Sequence, residues 1–137
     1  MLRAVAGVIG AVVAWFVIAT IGNLILRLTW PEYAQVETVM KFTLAMLLAR
    51  LVLGTLSSLG AGLIVAWITN SSRTTGLSLI GILLLIFVPA HYMLWPRFPV
   101  WYHLVFFGSL IVVPLLNSLC QKAKSHRPQS VDFSYAA

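Results

Sequence analysis

The chain has 137 residues, of which 61% are hydrophobic and 9% charged, and it carries nine Lys and Arg against three acids. A water-soluble domain has about 25% charged residues, so this chain cannot cover a solvated surface, and its length allows one domain at most. The apolar residues form four long runs between short polar breaks, and the mean hydropathy is +0.98. That pattern predicts an all-α protein: a four-helix transmembrane bundle over residues 1–120, a polytopic integral membrane protein. Barrel strands would need an alternation that these runs lack.

The first span is predicted over residues 4–26, a stretch without a charge that exceeds the roughly 20 residues needed to cross a bilayer. It is too long for the apolar segment of a secretory signal, which runs about 7 to 15 residues. Next, Thr29-Trp30-Pro31-Glu32 reads as a capping box opening a short helix over 30–41, either interfacial or a prolongation of the second span. Tyr33, Val36, Val39 and Met40 share one face of it, and Glu37 and Lys41 have the spacing of a helix ion pair.

The second span covers 42–69 and is interrupted only by Arg50; the third and fourth cover 77–95 and 100–119, joined by a tight turn at Pro96–Pro99. Pro89 and Pro114 each remove an amide donor and are expected to bend their spans. The tail, 121–137, has too few apolar groups to fold by itself and is expected to be disordered and basic. Its Lys122, Lys124 and Arg127 suit contact with anionic lipid.

Arg3, Arg73, Lys122, Lys124 and Arg127 fall at one end of the spans and Arg27, Lys41 and Arg97 at the other. This bias predicts cytoplasmic N and C termini; the expected location is a bacterial inner (cytoplasmic) membrane, which the bias itself does not specify. Asn70-Ser71-Ser72 has the form of a glycosylation acceptor, but on the cytoplasmic side it would be inert. Cys120 is the single cysteine, which excludes an intrachain disulfide.

Arg50 breaks the apolar rule most sharply. It lies about 12 Å along its helix from Phe42, at a depth where a guanidinium costs about 2.5 to 3.5 kcal/mol. No acid falls within any span, so its partner is sought among carbonyls, Asn23, a histidine, a lipid phosphate, water, a bound anion or another protein. Alternatively the side chain snorkels along its own helix to a phosphate. Asn23, Arg50, His91, Tyr92 and His103 are predicted to cluster near the outer face if the helices converge. The two histidines share a depth, but acids and thiols are absent around them, so no metal or other cofactor is expected.

Helical spacing places Gly54, Ser57, Ser58, Ala61 and Gly62 on one strip below Arg50, with a matching strip at Gly7, Gly10, Ala11 and Ala14 on the first span. Small residues let backbones approach closely, so these strips join the two helices or face a second copy.

The chain matches small multidrug exporters in size alone, lacking their intramembrane carboxylate. The glycine-rich motif that precedes the arginine of four-helix fluoride channels is also absent before Arg50. No paired carboxylates, phosphate loop, His-x-x-Glu-His or CxxC occurs, so catalysis is not expected. The positive charge is too scattered for nucleic acid. The leading expectation is a non-catalytic membrane subunit or accessory protein, a homo-oligomer or part of a larger membrane complex, acting through its strips in the lipid bilayer. The alternative is a small transporter or channel in which Arg50 recruits an anion or anionic lipid.

Overall fold

The computed structural model describes the backbone of residues 1–69 and 73–125, with side chains at 1–69 and 74–116. The Asn70-Ser71-Ser72 sequence, the Cys120 side chain and the tail beyond Ser125 lie outside the described residues. Among those described, the protein is all helical: α1 (Leu2–Thr29), α2 (Pro31–Glu37), α3 (Leu44–Thr69), α4 (Arg73–Leu94) and α5 (Val100–Ser125). Helix α5 therefore continues through residues 121–125, where the sequence predicts an unfolded tail; Gln, Lys and Ala there are good helix formers and prolong the helix.

Leu2–Thr29, Leu44–Thr69 and Thr74–Leu94 are long and apolar enough to cross a membrane; the apolar part of α5, Val100–Leu116, is shorter. Their outer surfaces carry large apolar side chains, including Leu28, Trp67 and Leu85, each more than 70% exposed. A surface of that kind is stable in lipid and not in water.

The four long helices form a ring in the order α1, α3, α5, α4, in which α1 against α3 is the most extensive contact and α4 against α1 the least. Helices α1 and α3 run antiparallel, since Gly7 approaches Ile68 and Thr69 while Gly22 approaches Leu53. The small-residue strips lie inside this one chain: Gly7, Ala11, Gly54, Ser57, Ser58, Ala61 and Gly62 are buried, Gly10 and Ala14 partly so. They do not all face the same neighbour. Ser58 receives the Trp15 indole N–H at 3.1 Å from α1, whereas Gly54 lies against Phe106 of α5. Both serine hydroxyls also donate 2.8 Å bonds within α3, Ser57 to the Leu53 carbonyl and Ser58 to that of Gly54, which satisfies them in a medium without water.

Helix α2 is a separate element and not a prolongation of α3. Thr29 belongs to the end of α1, where its hydroxyl donates to the Ile25 carbonyl at 2.8 Å; it does not cap α2. The N-cap of α2 is Trp30, without a side-chain bond, and Pro31 follows at the first helical position, where its missing N–H leaves nothing unsatisfied. The helix ends at Glu37, and Met40 takes φ 55°, a left-handed conformation that reverses the chain into α3. The α-helix thus stops before Lys41 can pair with Glu37, and the carboxylate turns instead toward α1 and α3.

Candidate functional site

Because α2 folds back across the ends of α1 and α3, it places Tyr33 and Glu37 over Asn23, Arg27 and Arg50. The result is a continuous polar chain. The Arg50 NH1 donates to the Tyr33 hydroxyl at 3.0 Å, and that hydroxyl donates to Asn23 Oδ1 at 2.8 Å. Asn23 Nδ2 donates to Glu37 Oε1 at 3.2 Å, and Arg27 Nε closes the chain onto Glu37 Oε2 at 2.5 Å. Each hydroxyl and amide group is used once as donor and once as acceptor, so the polarity of the chain is fixed from end to end.

The electrostatics are unbalanced. Glu37 Oε1 also stands 3.8 Å from Arg50 NH1, but this single carboxylate is shared between two guanidinium groups, leaving one positive charge in excess. Burial on its own would raise the Glu37 carboxyl; the hydrogen bonds from Arg27 and Asn23 and the two nearby arginines outweigh it and hold the group below the ordinary carboxylate range. Burial raises the Tyr33 phenol above its ordinary value against the pull of Arg50, so the hydroxyl keeps its proton at neutral pH and serves as donor. The Arg50 guanidinium carbon lies 4.8 Å from the centre of the Phe42 ring, a cation–π contact. Arg50 keeps 27% of its side chain exposed, and four of its five N–H groups are not needed by Tyr33.

That exposed part of Arg50 faces a cavity of about 550 Å³, within the roughly 300 to 1,000 Å³ range of small-molecule sites. Asn23, Arg27, Arg50 and Tyr102 stand at its polar end, and Trp15, Phe87 and Phe106 are among its apolar lining. These three rings pack together, with Trp15 and Phe87 centroids 4.5 Å apart and those of Phe87 and Phe106 5.3 Å apart. Thr20 and Leu24 of α1 and Ala90 of α4 line the cavity and are exposed. The cavity therefore opens sideways between α1 and α4, the loosest seam of the ring.

His91 lines the same cavity. Its Nδ1 is 2.7 Å from the Nδ1 of His103, so one ring donates and the other accepts. Both rings are buried, and His103 Nε2 has no partner. Phe106 stacks on His91 with centroids 4.3 Å apart and Trp95 on His103 at 4.7 Å. At 2.7 Å the two nitrogens are at hydrogen-bond distance, and no group of three or more potential metal ligands occurs among the described residues.

Of the residues singled out from the sequence, Asn23 and Arg50 meet through Tyr33, His91 lines the shared cavity and His103 stands behind it. Tyr92 is the correction: it is 81% exposed on the outside of α4, because the turn of the helix that points His91 inward points its neighbour out. Sequence reasoning omitted Arg27, Tyr33, Glu37 and Tyr102. The available signal was charge: Glu32 and Glu37 are the acids closest in sequence to Arg27 and Arg50, and a helix beginning at Pro31 can fold one of them back over the spans.

No protein-family model, curated protein or solved structure matches the chain.

Proposed function

We propose that this is a small membrane protein that binds an oxyanion at Arg50, taken from the membrane through the opening between α1 and α4, as one step of carrying or transporting it. The observation that carries the reading is a guanidinium that keeps 27% of its side chain exposed and lines a membrane-level cavity with more positive than negative charge around it. Glu37 is closer to Arg27, at 2.5 Å, than to Arg50, at 3.8 Å, so an incoming anion addresses Arg50, whose planar fork suits phosphate or carboxylate. Phe42 and Tyr33 fix the guanidinium in place before the anion arrives, which lowers the ordering cost of binding.

The small-residue strips gave the sequence its case for a scaffold subunit. Their burial within a single chain removes that support, and the anion-binding reading needs no second copy.

The test is binding of radiolabelled inorganic phosphate and of an alkyl phosphate to the purified protein in lipid nanodiscs. Arg50→Gln is expected to weaken binding roughly ten- to hundredfold, the worth of a hydrogen bond to a charged group, and Arg50→Lys to retain part of it. Equal binding by the wild type and Arg50→Gln would overturn the reading.

A further inference from the structure

The cavity at Arg50 carries its charged groups at one end and, His91 apart, is lined by aromatic and aliphatic groups toward the other, and that asymmetry says more about the ligand than the charge does. Asn23 and Trp15 both line it from α1; the eight-residue step from one to the other spans about 12 Å of helix. Over that distance the lining changes from guanidinium, amide and phenol to the packed rings of Trp15, Phe87 and Phe106. A free inorganic anion would satisfy the upper end and leave the lower end empty, an arrangement that gains nothing from the aromatic floor. A molecule with an anionic head and an apolar tail fills both.

We infer that the ligand is a single-tailed anionic amphiphile, with a phosphate or carboxylate head on Arg50 and its tail lying down the cleft between α1 and α4 onto Trp15, Phe87 and Phe106. The inference rests on the anion-binding reading above and adds the tail to it. Three features support a tail inside the protein instead of one left in the surrounding lipid. First, the opening faces sideways, since Leu24 and Ala90 line the cavity while exposed on α1 and α4, so an amphiphile enters without leaving the membrane. Second, the floor is fixed: the Trp15 indole is tied to Ser58, and Phe87 packs on it with centroids 4.5 Å apart. Third, the volume of about 550 Å³ is that of a small-ligand site.

Trp15 supplies the readout, because it is 5% exposed and therefore shielded from tails in the bulk bilayer. In a variant with Trp30, Trp67, Trp95 and Trp101 replaced by Phe, a bromine-tagged alkyl phosphate or alkyl carboxylate added to nanodiscs is expected to quench Trp15 emission saturably. The untagged amphiphile should reverse the quenching at equal concentration, and inorganic phosphate only at a concentration at least roughly tenfold higher, since it forgoes several buried methylenes. Arg50→Gln should abolish saturable quenching, Arg50→Lys should keep part of it, and Ala90→Phe, which fills the opening, should reduce it severalfold. If the amphiphile displaces bound phosphate from Arg50 yet leaves Trp15 emission unchanged, the tail lies outside and this inference is overturned while the anion site stands. If neither inorganic phosphate nor either amphiphile binds in a manner that depends on Arg50, both are overturned.

Discussion

Glycines on the two sides of the bundle meet opposite surroundings. Along α1 and α3, a Cβ added at Gly7, Gly22 or Gly60 would run into Thr69, Leu53 or Ile18, whereas at Gly81 of α4 and Gly108 of α5 it would meet nothing within 4 Å. The same residue type is thus a packing device in one half and has open space beside it in the other. The cavity, which neither Gly81 nor Gly108 lines, follows from a second contrast, between the partners of α1. Helices α1 and α3 are drawn together by their small residues and by the bond from Trp15 to Ser58, while α4 touches α1 through bulky rings such as Phe87, which hold the two helices apart above them.

The sharpest way to break this comparison is to fill the close-packed side. Gly22→Leu is expected to have the largest effect of the substitutions considered, because a Cβ there meets not only the methyl groups of Leu53 but also its Cγ, so no single methyl rotation relieves the overlap. Overpacking of this kind costs about 1–3 kcal/mol and sometimes more. Thermal unfolding in mild detergent should show a strongly lowered midpoint; an unchanged midpoint would mean that α1 and α3 are not in close contact at this level.

Next comes the polar chain that α2 builds over the seam. Tyr33→Phe keeps the buried ring but removes the hydroxyl that serves both Asn23 Oδ1 and Arg50 NH1. Leaving such groups without their partner costs about 1–3 kcal/mol. A loss of that size in the same unfolding measurement, with α2 amides exchanging faster, is expected. Wild-type stability in Tyr33→Phe would show that Arg50 is held by something else.

Acid acts on the same region with a smaller effect. The Glu37 carboxyl is held below its ordinary value of 4.5, so its charge stabilises the folded chain at every pH above that value. The contribution fades as acid takes the pH down through the lowered value. Between neutrality and pH 5 the protection of residues 31–37 against hydrogen exchange, taken relative to an unstructured peptide at the same pH, should be unaffected by this group, and on further acidification it should fall. Glu37→Gln should remove the acid dependence; if it persists in that variant, another group is responsible.

How much of this was legible in the sequence differs between the two regions for a physical reason. The apolar runs sufficed for the long helices, because in lipid each backbone amide is satisfied within its own span, and the 3.6-residue period placed Gly54, Ser57 and Ser58 on an inward face. Periodicity carries no information about which neighbour that face meets, so it could not assign Ser58 to Trp15 and Gly54 to Phe106. Likewise Arg50 was conspicuous for its depth, but its partners arrive on α2 by a chain reversal at Met40, and its φ of 55° has no signature in a methionine. Local rules drew Thr29 to a capping box and Glu37 to Lys41; both were overridden by tertiary contacts, with α1 continuing through Thr29 and Arg27 competing for the carboxylate.

The mildest change tests the other half of the comparison. Gly108→Ala adds a methyl group to the middle of α5, where nothing lies within 4 Å of the new atom. Alanine loses less backbone freedom on forming helix than glycine does, an advantage of roughly 0.5–1 kcal/mol, and here there is no clash to oppose it. The variant is therefore expected to unfold at the same temperature as the wild type or slightly higher. Together with Gly22→Leu it forms an opposed pair: a loss at Gly108 as large as that at Gly22 would mean that α5 is packed as tightly as α1 and α3.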